Sequence, residues 1–326
     1  MSSHLFPEPA IAAWLDAKGI APGESMRVEQ IEGGRSNVMF RVHRGGERLV
    51  LRRPTRVALA KADDGMRREF RILRALAPTD VPVPEPVALC DDLDVIGSVF
   101  YLMAEVDGVP PTALPVGLGE ASTARRTVTE AVTDALASLH EVDYIAAGLE
   151  GFGTPDGFHE RQASRWTRQY EEVGGRHLAD VGRIGSWLSD HLPTDWSPTI
   201  IHADYHMLNV LIAPDPPARV AAIVDWETST IGDPLLDLAG FCEVWCGAYS
   251  GDGWPNRGEI VERYASARCL GELPDLRYYE VLYNFRLAVL LEGVYLRSVA
   301  DRDRQPDGTA EARAMHNLRR AVELAE

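Results

Sequence analysis

Lysine is almost missing from this chain. Lys18 and Lys61 are the only two, so nearly every basic residue is arginine. Basic residues are also outnumbered, 33 Lys and Arg against 49 Asp and Glu, for a net charge of −16. A surface that binds nucleic acid without sequence preference needs excess cation, so the balance argues against that class. It is compatible with a cationic substrate, although acidity mostly serves solubility. Cysteine is scarce as well. Cys90, Cys242, Cys246 and Cys269 lie among apolar neighbours, and only Cys242 and Cys246 are spaced to meet on one helical turn. No second pair completes a zinc set, and the four thiols are expected to be reduced core residues of a cytosolic protein. No apolar run reaches the ~20 residues of a membrane span. The N-terminal MSSHLFPEPAIAAW has no basic region ahead of an apolar one, so no secretory signal is expected and the expected location is cytoplasmic.

The rest is ordinary globular material: 326 residues, 45% hydrophobic and 25% charged, enough for one large domain or two lobes. Residues 8–18 have the spacing of a short amphipathic helix stopped by Gly19. Residues 26–53 change period and predict strands near 27–32, 37–43 and 47–53, with a hairpin turn at Gly45-Gly46. A helix is expected over 62–77, with Phe70, Leu73, Leu76 and Ala77 on one face, then strands near 86–90 and 98–104. The expected fold class is α+β, with two lobes. Residues 1–104 form a lobe with a five-stranded antiparallel sheet and a helix, 105–108 a hinge, and 109–326 a mostly helical lobe. Helices there are expected near 119–143, 158–173, 182–191, 233–247, 256–270, 275–299 and 309–325. Asp233-Pro234 opens the fourth of these as an N-cap followed by proline at the first helical position.

The densest polar stretch is 199–227. His202, Asp204, His206 and Asn209 fall within eight residues, between the apolar runs Thr199–Ile201 and Val210–Ile212. Beyond a proline-rich turn, the run Val220–Val224 ends on Asp225. Short β-branched runs bounded by turn residues are the pattern of buried strands, and Asp is rarely buried without a partner. Asn209 and Asp225 supply the carboxylate and amide oxygens that a hard divalent cation takes, with phosphates completing its shell. Asp204 is then left to accept a proton from an attacking hydroxyl. Upstream, Gly33-Gly34-Arg35-Ser36-Asn37 forms a turn whose backbone amides can approach phosphates. A plain hairpin meets the same pattern. Arg52 on the third strand and Glu69 on the following helix are placed to fix α- and β-phosphates, and each is equally compatible with a surface charge.

This order of parts resembles the protein-kinase-like fold: glycine-rich turn, basic residue on strand three, helix Glu, linker, D-x-x-x-x-N, strand-terminal Asp. The block His202-Ala203-Asp204-Tyr205-His206-Met207-Leu208-Asn209, with Val224-Asp225-Trp226-Glu227 and Gly232-Asp233-Pro234-Leu235-Leu236-Asp237-Leu238-Ala239, is similar to the aminoglycoside phosphotransferase and choline-kinase-like branch. Within it the chain is most similar to the phosphotransferase domains associated with acyl-CoA dehydrogenases. The resemblance implies ATP and Mg²⁺. Asp204 would be the catalytic base or hydroxyl-positioning carboxylate, and Asn209 and Asp225 would hold the metal. Gly33, Gly34, Ser36 and Asn37 would lie over the phosphates, with Arg52 replacing the usual lysine and Glu69 orienting it. The backbone of Glu105 and Val106 would meet the adenine edge, and His202 would brace the loop. Ala203 stands where glycine is common. Arginine at 52 is the larger departure, because its fork binds phosphate differently from an ammonium. Glu227 is either a further metal or substrate contact or an exposed loop carboxylate.

The same residues are open to two other functions. A metal-dependent hydrolase would use His202, Asp204 and His206, which alternate as on one strand face, but leaves Asn209 and Asp225 without a task. A catalytically silent nucleotide-binding scaffold leaves Asp204 without one. The expected partner is a small-molecule hydroxyl acceptor, not nucleic acid or a membrane. Its surface is expected from 158–173 and 240–300, where Trp166, Tyr170, Trp245, Tyr249, Trp254, Tyr279, Tyr283, Phe285 and Tyr295 are either an apolar pocket or ordinary core. Glu171, Glu172, Asp252 and Glu292 keep a cationic aminoglycoside open as the alternative to an acyl or macrolide-like alcohol.

Overall fold

A computed structural model of the chain describes residues 6–31, 37–55, 60–113, 121–251, 253–300 and 305–326. In chain order the elements begin with α1 (Glu8–Ala17), β1 (Met26–Ile31), β2 (Asn37–Arg44), β3 (Glu47–Pro54), α2 (Ala60–Leu76), β4 (Pro86–Cys90), α3 (Leu93–Ile96) and β5 (Phe100–Ala104). Helices α4 (Ala121–Glu141), α5 (Glu160–Glu172) and α6 (Ala179–Asp190) follow, then β6 (Thr199–Ile201), β7 (Val210–Ile212) and β8 (Val220–Ile223). A 3-10 turn at Trp226–Thr228 leads to β9 (Thr230–Gly232), α7 (Leu235–Ala248), α8 (Arg257–Ala267), α9 (Arg277–Ala300) and α10 (Gly308–Ala325). No described helix is long and apolar enough to cross a membrane.

The chain divides into two compact units. The first is Met1–Gly119 with Ala147–Leu149 and Leu208–Thr228; the second is Glu120–Ala146, Glu150–Met207 and Ser229–Glu326. The hairpin β7–β8, which the sequence division assigns to the helical lobe, therefore groups with the sheet.

In the first unit the strands order β1-β2-β3-β5-β4, all antiparallel, as the α+β reading expects. Strand β2 alternates half-buried and buried residues along its length, the period-two signature of one covered face. Gly45 and Gly46 close the β2–β3 hairpin with φ of 53° and 90°, the double positive φ that a two-residue primed turn needs. Ile11 and Leu15 of α1 enter a core with Phe6, Phe40, Leu51, Phe100 and Leu102. Helix α3 was not expected. Its four residues are too few to show a period, and it rests on the Asp92 cap to Asp94 N–H and on Gly97 at φ 78°. Val109 exchanges both backbone hydrogen bonds with Ile212 (2.9 and 2.7 Å), tying the segment after the sheet to the β7–β8 hairpin.

The second unit is helical apart from the short β6–β9 pair. Helix α7 starts one residue later than a Pro234 start, with Asp233 Oδ1 accepting the Leu235 N–H at 3.0 Å. Helix α8 opens with a capping box between Asn256 and Glu259, which satisfies two end donors at once. Most of the aromatics considered for a pocket are core instead. Trp166, Tyr170, Trp245, Tyr279, Tyr283 and Phe285 are all buried. All four cysteines are free; Cys269 departs from the expectation of a core thiol and is exposed.

Candidate active site

The sheet unit carries one set of candidate residues. Arg52 sits mid-sheet on β3, opposite Met39 of β2 and Tyr101 of β5. It is 5% exposed, and Glu69 on α2 is 1% exposed. Arg52 Nε lies 2.8 Å from Glu69 Oε2, and its terminal nitrogen lies 2.6 Å from Asp225 Oδ1 and 3.7 Å from Glu227 Oε2. The structure thus brings together residues from a strand, a helix and a loop, with Arg52 and Asp225 173 positions apart. Burial opposes the charge on Arg52, but Glu69, Tyr101 and Asp225 outweigh it and hold the guanidinium above its ordinary pKa. Burial pushes the Glu69 carboxyl up even with Arg52 beside it. The Tyr101 hydroxyl donates to Glu69 Oε2 at 3.0 Å, a fixing contact to which sequence reasoning assigned no role.

The β7–β8 pairing sets Val210 opposite Ile223, and Val224 N–H continues the ladder to the Asn209 carbonyl at 2.9 Å. Buried Asn209 is thereby registered beside the residue that precedes Asp225. Asp225 has φ +65°, a left-handed conformation that Asp tolerates better than most residues. An amide oxygen and a carboxylate are the hard oxygen donors Mg²⁺ takes, and it commonly uses only one or two protein ligands beside phosphate and water. The carboxylate has lone pairs for both Arg52 and a cation. The donor set therefore fits the metal. Glu227, left open above, is engaged: Asn37 Nδ2 donates to its Oε2 at 3.2 Å. Gly33, Gly34 and Ser36 lie outside the described residues.

Glu105 is pinned at the end of the sheet. Its N–H donates to the Arg48 carbonyl at 2.9 Å, and its carboxylate takes Arg41 and His43 at 2.8 Å and Arg48 at 3.1 Å. Burial alone would raise that carboxyl, but His43, Arg48 and Arg41 hold it below the usual carboxylate range. Among the described residues, the Glu105 carbonyl and the Val106 amide take part in no backbone hydrogen bond outside the strands.

The helical unit carries the second set. After β6 the chain turns through His202, Ala203 and Asp204. Ala203 has φ +63°. The buried Asp237 of α7 holds this turn, accepting the His202 N–H at 2.6 Å and the Ala203 N–H at 2.7 Å. Behind it His140 places Nε2 3.3 Å from Asp237 and Nδ1 2.7 Å from the Tyr264 hydroxyl. His202 is fully buried, and its Nδ1 accepts the Asp204 N–H at 3.3 Å. His206 Nε2 lies 3.5 Å from Asp204 Oδ2. Burial would raise the Asp204 carboxyl, but the His206 contact, with the charges of His206, His202 and Arg286, lowers it to about 2. Asp204 is therefore ionised throughout the neutral range. Among the described residues no three His, Cys, Asp or Glu side chains gather into a metal-binding group, so the hydrolase alternative finds no ligand set at His202, Asp204 and His206.

Asp237 lies in the Gly232–Ala239 block, whose sequence alone assigns it no role. The available signal is an ionisable residue inside the apolar run Leu235–Phe241. Asp233 belongs to the same pattern, accepting from the Tyr279 hydroxyl at 2.7 Å with His159 at 3.0 Å. Because a left-handed alanine costs roughly 1–2 kcal/mol, Ala203→Gly is expected to recover at most about 1 kcal/mol once the added chain entropy of glycine is set against it. Chemical denaturation checks this, with an unchanged or lower midpoint as the contrary result.

The sequence matches the phosphotransferase enzyme family over residues 27–280. It is 32% identical over 322 residues to acyl-CoA dehydrogenase family member 11 of Gallus gallus, covering 94% of this chain and 40% of that protein. The chain thus spans about two fifths of that relative's length. Among solved structures, one from Ralstonia eutropha JMP134, provisionally assigned as an aminoglycoside phosphotransferase, superposes with a TM-score of 0.83 at 29% identity and 97% coverage of both chains. Spectinomycin phosphotransferase, in complex with ADP and spectinomycin, shares the fold at a TM-score of 0.61 and 13% identity, with 97% of each chain covered. The five-stranded antiparallel sheet, the helical remainder and the family match over most of the sequence agree: this chain belongs to the phosphotransferase enzyme family.

Proposed function

We propose that the chain transfers the γ-phosphate of ATP to a hydroxyl of a small molecule. The observation that carries this reading is the Arg52–Glu69–Asp225 cluster. A guanidinium buried in mid-sheet, held charged and fixed on two sides, is a preformed anion receptor. Nucleotide use is supported by the ADP complex of the spectinomycin enzyme. Arg52 binds α- and β-phosphate oxygens, with Glu69 and Tyr101 fixing its fork. The turn containing Gly33, Gly34, Ser36 and Asn37 covers the phosphates, and the Glu105 carbonyl and Val106 amide meet the adenine edge. Asn209 and Asp225 hold Mg²⁺, which when bound neutralises charge on the phosphates.

Asp204 orients the acceptor hydroxyl. The hydroxyl oxygen forms a bond to the γ-phosphorus as the bond from that phosphorus to the β-bridging oxygen breaks. ADP leaves, and the hydroxyl proton passes to Asp204. A carboxylate with a pKa near 2 is a weak base, so its main contribution is positioning, with proton transfer late in a loose transition state. A small acceptor is favoured over a protein because only a 3-10 turn and the three-residue β9 separate Asp225 from α7. No long peptide-docking segment intervenes. The test is ADP release with Mg-ATP against a panel of hydroxyacyl thioesters, macrolides, aminoglycosides and hydroxyl-bearing peptides. Turnover with one class of small alcohol is expected; turnover with peptides alone overturns the proposal.

A further inference from the structure

Helix α5 places Arg161, Arg165 and Arg168 on one face, at spacings of four and three. Like charges at those spacings destabilise a helix. In a chain with a net charge of −16, interleaved carboxylates would be the ordinary pattern. Here the three arginines border a cavity of about 330 Å³, with Thr154, Ser164 and Thr230 also lining it. Arg161 spends donors on the carbonyls of Thr154 and Asp156, which shapes the rim. Among the described residues Arg168 has one ion pair, a 3.7 Å contact with Glu172. Arg165 lies 5.0 Å from the Trp166 ring centroid, and among the described residues no carboxylate is within ion-pair distance of it.

A second, buried cation stands beside this face. Arg286 of α9 is 9% exposed and lies 5.6 Å from the same Trp166 ring. Among the described residues no carboxylate is within 4 Å of its guanidinium either. Its charge acts on Arg165 on one side and on Asp204 on the other, lowering the pKa of both groups. Two of the acidic residues that a cationic acceptor would call on are meanwhile taken by arginines. Glu292 is buried against Arg176 at 2.7 Å, Glu172 faces Arg168, and Asp252 lies outside the described residues.

Among the described residues Arg165 and Arg286 have no carboxylate within ion-pair distance and Arg168 has one at 3.7 Å, an excess of cation that suits an anionic ligand, and arginine forks match phosphate oxygens. The volume is at the low end of small-molecule sites, enough for a phosphate or diphosphate group. We propose that the α5 groove, through Arg165 and Arg168, binds the phosphate group of a small anionic molecule. The assignment of that phosphate to the acceptor itself rests on the phosphotransferase reading above; the groove as an anion site does not.

The test is calorimetric titration of pyrophosphate into the full chain, into Arg165→Gln/Arg168→Gln and into Arg52→Gln. Both groove positions are on the surface, so the double variant should fold. Binding is expected in the wild type, at least ten-fold weaker in the double variant, and still present in Arg52→Gln. No binding to the wild type, or equal binding to the double variant, overturns the site. A second arm compares alcohols with and without a phosphate group as acceptors. If the double variant raises KM for the phosphorylated alcohol alone, with kcat unchanged, the phosphate is the acceptor's own. If KM is unmoved while pyrophosphate binding is lost, the groove takes a separate anion. Should no alcohol be phosphorylated at all, the reaction is wrong and the calorimetry still decides the groove.

Discussion

Asp204→Asn is expected to lower kcat by about 10²–10⁴-fold, the range attributed to a positioned acid–base group, while ATP affinity stays within about two-fold. Asparagine keeps the size of the side chain and one acceptor oxygen. It removes the charge that orients a hydroxyl and finally takes its proton. ATP affinity should survive because the proposed phosphate and metal contacts lie on other residues: Arg52, Asn209 and Asp225. The measurement is single-turnover phosphorylation beside equilibrium nucleotide binding. Unchanged turnover would sink the assignment of Asp204. A parallel fall in turnover and ATP affinity would instead indicate general disruption of the loop. The complementary variant, Asp225→Asn, should weaken Mg-ATP binding and release Arg52 from one of its two short ion pairs.

Asp237→Ala is expected to destabilise the helical unit by about 3–5 kcal/mol, the range for removing one partner of a buried charged network. The carboxylate satisfies two backbone N–H groups and contacts His140, all in the interior. Removing it strands those donors and frees the left-handed Ala203, so the loop bearing Asp204 loses its support. Turnover should fall along with stability. Asp237→Asn, which retains one acceptor oxygen, should cost clearly less. Denaturant unfolding followed by tryptophan fluorescence measures the difference, and a loss below about 1 kcal/mol would overturn the bracing role.

The same network has a pH signature. Burial lowers the His140 pKa against the pull of Asp237, so folded His140 resists a proton that the unfolded chain accepts near its ordinary value. The unfolded state then binds more protons below about pH 6.5, and stability falls as the pH drops below that point. His140→Gln should flatten this slope.

Some of this was legible early because its causes are local. The period-two run in β2, the Gly45-Gly46 turn and the apolar face of α2 each depend on residues within one element. The start of α7 was legible to within one residue from Asp233-Pro234, whereas the Asn256–Glu259 capping box of α8 is a finding of the structure. Helix α3 escaped because four residues carry no periodicity. The aromatics of 158–173 and 240–300 could not be sorted into core and pocket, since an aromatic pattern looks the same in either setting until packing is known.

By itself the sequence determined most of the strand and helix order, α3 and β9 excepted, and pointed to the family through a block of polar residues at 202–237 whose spacing is short-range. Tertiary structure decided who meets whom. Arg52 finds Asp225 across 173 residues, Ala203 is held by an aspartate 34 residues on, and Arg165 of α5 shares an indole with Arg286 of α9. The physical reason is that buried charge must be matched wherever the fold brings a partner, and a partner that distant leaves no local pattern. Arg52 could be suspected from its strand. That it is buried and clamped by two carboxylates, and that Arg165 and Arg286 are left without one among the described residues, only the folded chain could show.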